Sequence, residues 1–294
     1  MANSDNKQPT YHRQRFLLSF IKQLNDGVSS TDLQKLIFIY IMENKLSYYD
    51  FVPYKFGPYS FQLNEDVALL EKNGFIHIVN NNNRRYYTVA NQNEENNISY
   101  AIAFERGDAL IRRAYREYPF YAMNSEIIGR LFHGTELNKF KNEKQKYSQA
   151  TQVLFTIGYE GKSIESFTNT LLLNDIRLLC DVRKHPYSRK FGFSKEKLKH
   201  ICETVGIKYV NISNLGIESD KRLELDTESD YEQLFSEYEK ELPQKRTELN
   251  YLYKLFESNN RIALMCFEKD PQMCHRHIIR DYMVEKYNMA SEDI

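Results

Sequence analysis

The feature that most constrains the fold of this chain is a change of pattern at residue 153. From there, short apolar runs alternate with longer amphipathic segments. The apolar runs cover residues 153–157, 176–182, 207–212 and 262–267, and helical spacing follows Ser163 and Ser194 and recurs at 229–241, 246–258 and 272–286. Buried strands separated by helices are typical of a mainly parallel sheet with helices on both faces. The sequence therefore predicts a Rossmann-like α/β domain over residues 151–294.

Unusual polar residues follow the predicted strands of this domain. Open parallel sheets place their ligands beyond the carboxyl ends of the strands, so these residues are expected to share one site. The candidates are Tyr159 after the first strand, Asp181, Arg183, Ser188 and Arg189 after the second, and Cys266, Glu268, Cys274, His275 and Arg276 at the fourth.

The residues after the last strand indicate anion binding. Asp270 suits a helix N-cap and Pro271 the first helical position, which would put Cys274 and His275 in or near the first turn. The helix dipole there lowers the pKa of a thiol and favours an anion.

The arginines and carboxylates of the set have complementary chemistry. Guanidinium groups of Arg183, Arg189 and Arg276 match a phosphate or carboxylate. Asp181 and Glu268 could serve as acid and base or could orient the arginines. The bland alternative is that Asp181 and Arg183 form a structural ion pair.

The other side chains are ambiguous. Cys266 and Cys274 fit either a packed core or the site, and Ser188 has no base beside it in the sequence. A metal site of Cys266, Cys274 and His275 is disfavoured, because the spacing is not the short paired kind of zinc sites. We therefore expect neither a metal nor another cofactor.

The N-terminal residues 1–97 have the element order of a winged helix. Helical spacing covers 11–25, 32–44 and 61–73, an aromatic loop covers 52–60, and two strands at 75–79 and 84–89 form a hairpin. Thr31 and Gln34 match a capping box for the second helix. A polar linker at 91–97 precedes a helical connector over 98–150, with helices at 98–117 and 123–133 and a linker or solvated helix at 136–150.

Lys55, Arg84 and Arg85 are the candidate phosphate contacts of this module if it binds nucleic acid, with DNA favoured over RNA. Its acidic and basic residues balance, whereas DNA-binding domains usually carry a basic surface, so binding to protein is the alternative.

Composition and hydropathy indicate where in the cell the protein is located. The chain has 294 residues and four cysteines, no apolar stretch of membrane-spanning length, and a polar start. We expect free thiols, a cytoplasmic location and no membrane partner, and leave oligomerisation open.

Several sequence blocks carry a family resemblance. They are Thr156-Ile157-Gly158-Tyr159, Asp181-Val182-Arg183, Pro186-Tyr187-Ser188-Arg189, Gly192-Phe193, Leu215-Gly216 and the segment from Cys266 to Arg276. Through them, residues 153–286 resemble the domain-of-unknown-function 488 (DUF488) family, which implies a Rossmann-like domain with a shared polar pocket. Residues 51–60 are similar to winged-helix modules of bacterial antitoxin-like and regulatory proteins.

Three functions follow as expectations. The first is a hydrolase acting on nucleic acid or a nucleotide without a metal, with N-glycosidic cleavage (a glycosylase) favoured over phosphodiester cleavage and the winged helix positioning DNA. The second is a sensor that binds a phosphorylated ligand without turnover. The third uses Cys274 as a nucleophile, but neighbouring residues on a helix point about 100° apart, so His275 is poorly placed as its base. A role in bacterial defence is an analogy from the two-part arrangement.

Overall fold

The computed structural model describes residues 8–24, 26–81, 84–90, 99–218, 221 and 227–294. The chain divides into two compact units, Met1–Gln145 and Lys146–Ile294. Among the described residues, no helix combines the length and the apolar character that crossing a membrane requires. The predicted linker at 91–97 lies outside the described residues.

The first unit is built on helices and short antiparallel strands. Its elements in chain order are α1 (His12–Lys22), β1 (Val28–Ser29), α2 (Ser30–Asn44), β2 (Val52–Tyr54), β3 (Gly57–Tyr59), α3 (Phe61–Lys72), β4 (Ile76–Asn81), β5 (Arg84–Val89), α4 (Gly107–Glu117), α5 (Ile128–Leu131) and α6 (Gly134–Gln145).

The predicted hairpin at the end of this module is present. β4 pairs antiparallel with β5, and β5 pairs with β1, giving the strand order β1-β5-β4. The segment 52–60, predicted as a loop, instead contains the antiparallel pair β2–β3. Gly57 at its turn has a φ of +88°, and an added Cβ there would lie 2.2 Å from the Tyr115 ring, so this close turn requires glycine.

Helix α2 begins differently from its prediction. Ser29 is the N-cap, and its Oγ accepts a hydrogen bond from the Asp32 amide at 3.1 Å. Gln34 does not complete a capping box, because its side chain accepts from the Ser60 amide at 2.8 Å and donates to the Ser60 carbonyl at 3.1 Å. The Gln34 side chain therefore binds the buried backbone of Ser60 instead of capping α2.

The described residues between 99 and 145 are part of the first unit. Leu110, Ala114, Tyr115 and Phe132 are buried in the same core as residues of α1 and α2. The predicted helix at 98–117 is shorter than expected, since the described part becomes helical only at Gly107, where φ is +57°. The predicted helix at 123–133 is reduced to α5, and the charged segment after it forms α6.

The second unit is the predicted α/β domain. Its elements are β6 (Val153–Gly158), α7 (Ile164–Leu173), β7 (Leu178–Asp181), α8 (Lys195–Thr204), β8 (Lys208–Asn211), α9 (Glu228–Glu241), α10 (Arg246–Asn259), β9 (Arg261–Cys266), α11 (Arg276–Tyr287) and β10 (Ser291–Asp293). The five strands are all parallel in the order β10-β6-β9-β7-β8. β9 is buried along its whole length, as expected of a central strand with helices on both faces.

Candidate functional site

The sheet brings the predicted site residues to one edge. β9 lies between β6 and β7, with Gly158 opposite Cys266 and Asp181 opposite Met265. The loops that carry Tyr159, Arg183 and Glu268 therefore leave the sheet side by side.

Asp181 and Arg183 form a buried ion pair at this edge. Asp181 is fully buried, and its two oxygens accept hydrogen bonds from the Arg183 Nε at 2.8 Å and an Arg183 Nη at 2.6 Å. The Arg183 amide adds a third bond to Asp181 at 3.1 Å. The paired carboxylate raises the pKa of Arg183 against the opposing effect of burial. Arg183 therefore orients the Asp181 carboxylate and balances its negative charge.

Two residues of β8 support this pair and were missed by sequence reasoning. Tyr209 donates from its hydroxyl to Asp181 at 2.7 Å, and burial raises the pKa of that hydroxyl. The Asn211 amide donates to the backbone oxygens of Asp181 and Arg183 at 2.9 and 3.1 Å. The available signal was their position on the strand that pairs with β7, where Asn211 is opposite Asp181.

Tyr159 also contacts Arg183. Its hydroxyl accepts a hydrogen bond from Arg183 at 3.1 Å, and its ring stacks on Phe193 with centroids 4.3 Å apart. Phe267 meets the same ring edge-on at 5.2 Å and remains 43% exposed. Tyr159 is 4% exposed, so its ring is packed within the protein, whereas the Phe267 ring has an exposed face at this edge.

Arg276 holds the loop after β9 in place. Its guanidinium donates to the backbone oxygens of Glu268 and Lys269 at 2.7 and 3.1 Å, and its Nε donates to Thr156 Oγ1 at 3.2 Å. Arg276 is 1% exposed, so the group predicted to hold an anion is engaged with oxygens of the chain itself. The Glu268 side chain is half-buried.

The predicted cap at Asp270 and start at Pro271 are present, but they begin a short 3-10 helix and not the α-helix. Asp270 caps only a short 3-10 turn, accepting from the Gln272 amide at 2.9 Å, and α11 begins at Arg276. Cys274 lies between the two with extended backbone, at φ −144° and ψ 133°. It therefore lies just before α11 and not within its first turn, and its carbonyl oxygen accepts from the His277 amide at 3.1 Å.

The break in the helix gathers Cys266, Cys274 and His275. The His275 Nδ1 lies 3.9 Å from the Cys266 Sγ and 3.8 Å from the Cys274 Sγ, and all three ligand atoms lie within 4.8 Å of one another. Each side chain is at most 2% exposed. A hydrogen bond with Cys274 and burial raise the pKa of the Cys266 thiol well above its usual value, which disfavours a free thiolate nucleophile there.

A group of cations lies on the loops above the buried pair. Lys162 follows β6, and burial together with the charges of Arg276 and Lys269 lowers its pKa. Lys190 donates to the Tyr159 carbonyl at 3.0 Å, and burial lowers its pKa as well. Sequence reasoning missed both lysines, because a lysine in a loop carries no pattern of its own.

Ser188 and Arg189 occupy the loop between β7 and α8. The Ser188 amide donates to Ser194 Oγ at 3.2 Å, and its hydroxyl accepts from the Lys190 amide at 3.1 Å, so Ser188 shapes the loop. Arg189 is exposed.

The predicted nucleic-acid contacts of the first unit lie on the β2–β3 turn and on β5. Lys55 is exposed and lies 3.5 Å from Glu126. Arg85 lines a cavity of about 330 Å³ together with Phe56 and Arg130. Arg84 begins β5, and its side chain is outside the described part of the structure.

Comparison with known proteins finds a family match for part of the C-terminal half. Residues 163–283 match the family model described as Domain of unknown function DUF488, which confirms the resemblance over that range. No curated protein and no solved structure matches the chain.

Proposed function

We propose that the α/β unit is a hydrolase that acts on nucleic acid or on a nucleotide-like phosphate ester. The observation that carries this proposal is the cation group at the carboxyl edge of the sheet. Lys162 is half-buried, and burial together with the positive charges of Arg276 and Lys269 lowers its pKa. An anion bound at the side chains of Lys162 and Lys269 would relieve that repulsion, with the buried Arg276 adding its charge from behind the loop.

The exposed ring of Phe267 supports a nucleotide-like ligand over a simple anion. It lies in the same loop as Lys269, and its backbone oxygen accepts from the amides of Tyr159 and Glu160 at 3.1 and 2.9 Å, which fixes the loop. An exposed aromatic ring beside cations can stack on a base while the cations hold the phosphate.

Glu268 is the acid–base candidate of this proposal. Asp181 is engaged by Arg183 and Tyr209, so it serves as a positioning residue. A half-buried carboxylate at the loop fits the activation of water in N-glycosidic cleavage, which we favour over phosphodiester cleavage.

We also propose that the first unit is a winged helix that positions DNA. Support comes from the order of α1, α2 and α3 before the hairpin β4–β5, and from the exposure of Arg85 on β5.

The test is a gel assay of binding and cleavage on single- and double-stranded DNA and RNA, including DNA with modified bases, with and without a final alkali step. We expect strand breaks only after the alkali step. We also expect Glu268→Gln to abolish these breaks while binding persists. Lys162→Met should weaken binding and turnover together, and the matched control Lys254→Met, an exposed lysine of α10, should leave both unchanged.

A sensor is the second candidate, favoured by the engagement of Asp181 and Arg183 with each other. It predicts salt-sensitive binding of a phosphorylated ligand without product, with little effect of Glu268→Gln. Absence of binding to every polymer and nucleotide would refute both candidates.

A further inference from the structure

Cys266, Cys274 and His275 form a buried cluster that the proposed hydrolase does not use. Cys266 ends β9, Cys274 follows the 3-10 turn, and His275 precedes α11. The spacing of these three residues in the sequence disfavours a metal site. The break between the 3-10 turn and α11, however, turns the two sulfurs and the imidazole toward one point.

The distances suit a tetrahedral ion. Bonds of about 2.3 Å to sulfur and about 2.0–2.1 Å to nitrogen place the ligand atoms of a tetrahedral zinc ion roughly 3.6–3.8 Å apart. The two measured sulfur-to-nitrogen separations are 3.9 and 3.8 Å, and no pair of ligand atoms exceeds 4.8 Å. Shifts of a few tenths of an ångström for the sulfur-to-nitrogen pairs, and of at most about 1 Å for the two sulfurs, would close the set around an ion.

The histidine is held in the tautomer that binds a metal through Nδ1. Its Nε2 lies 3.1 Å from the Val182 carbonyl oxygen, which can only accept, so Nε2 carries the proton. The lone pair of Nδ1 then faces the sulfurs. The Tyr238 ring packs edge-on against the imidazole at 5.6 Å and fixes its plane. A backbone acceptor on the far nitrogen is the usual support of a ligating histidine.

We propose that Cys266, Cys274 and His275 bind a thiophilic divalent metal ion of the zinc type. Binding converts both thiols to thiolates and releases two protons to solvent, while the neutral imidazole contributes its lone pair. Three protein ligands leave one tetrahedral position for a small exogenous ligand. Because all three ligands are buried, the ion serves to fasten the end of β9 to the start of α11.

The experiment is a titration of the full chain with Co²⁺ after reduction and removal of metal by a chelator. We expect one equivalent to bind with a sulfur-to-cobalt charge-transfer band and tetrahedral visible bands, and Zn²⁺ to displace it. Cys266→Ser and Cys274→Ser should each remove about half of the charge-transfer intensity and weaken binding by at least roughly 100-fold. Cys202→Ser is the matched control, since Cys202 is equally buried in α8 outside the cluster.

The wild-type chain decides the matter if the variants do not fold. Its melting temperature should rise with the concentration of Zn²⁺ above that of the chelator-treated protein, because a ligand of the native state stabilises it. Absence of a charge-transfer band in the reduced wild type, or loss of the band in Cys202→Ser with retention in Cys274→Ser, would overturn the proposal. None of these readouts needs a substrate, so they are independent of the proposed hydrolase.

Discussion

Asp181 and Arg183, two residues apart in sequence, satisfy each other through three hydrogen bonds at the carboxyl end of β7. Arg183→Met leaves the buried Asp181 carboxylate with Tyr209 as its remaining side-chain donor among these contacts. Loss of one partner of a buried pair costs about 3–5 kcal/mol, whereas replacing both by apolar residues is often neutral. We expect Arg183→Met to lose about that much stability in urea unfolding and Asp181→Leu combined with Arg183→Met to recover most of it. A single variant within about 1 kcal/mol of wild type would show that the pair contributes little.

Lys35 gives the first unit a measurable dependence on pH. It is 2% exposed, donates to the Pro58 carbonyl at 3.1 Å, and burial lowers its pKa to about 7. Between about pH 7 and 10.5 the unfolded chain therefore binds a proton that the folded chain does not. The free energy of unfolding rises with pH in that window by about 1.4 kcal/mol per unit from this group.

Lys35→Met removes this dependence. The variant should gain stability over wild type, most strongly near pH 7 and below, and the gain should shrink as the pH rises toward 10. Urea unfolding at several pH values measures the difference, with Lys72→Met, at the exposed end of α3, as the control. A difference that stays constant over pH 7–10 would contradict the assigned titration.

Gly158 and Gly216 are required by close backbone contact in the site. An added Cβ would lie 1.8 Å from the Glu268 carbonyl oxygen at Gly158 and 2.2 Å from the Lys184 amide nitrogen at Gly216. We expect each alanine substitution to cost at least about 1–3 kcal/mol and to displace the loops of the site. Gly129 in α5 has open space around its Cβ position, so Gly129→Ala should be neutral or stabilising by up to about 1 kcal/mol. Circular dichroism during urea unfolding compares the three variants, and equal effects would refute the steric argument.

Four of the five strands of the parallel sheet could be predicted from the sequence, because their short apolar runs are a local feature. Each predicted strand of the second unit from 153 onward is present, and Ser163 caps α7 with a 3.0 Å bond from the Ser166 amide. β10 has no such run, since its three residues are exposed and polar, and its contacts with β6 are backbone pairing and a 2.6 Å hydrogen bond from Thr156 Oγ1 to the Asp293 carboxylate. An edge strand of polar residues cannot be told from a loop by its composition.

For the site, too, the sequence predicts some features and not others. Parallel topology predicted that Tyr159, Arg183 and Glu268 would meet at one edge, because it depends only on where strands end. Which groups remain accessible depends on contacts between distant residues. Tyr209 and Arg276 illustrate this, since one binds the predicted acid Asp181 and the other binds the Glu268 and Lys269 carbonyls.

Binding of the proposed anion should change the protonation of Lys162. Burial and the charges of Arg276 and Lys269 lower the pKa of its ammonium group, and a bound phosphate would raise it again. Binding of inorganic phosphate or a nucleotide should therefore take up protons at alkaline pH and weaken as the pH rises through the lowered pKa. Calorimetric titration in two buffers of different ionisation enthalpy measures the uptake. Lys162→Met should abolish it and reduce the affinity, whereas Lys254→Met should change neither. Tight binding with no proton uptake would place the anion away from Lys162.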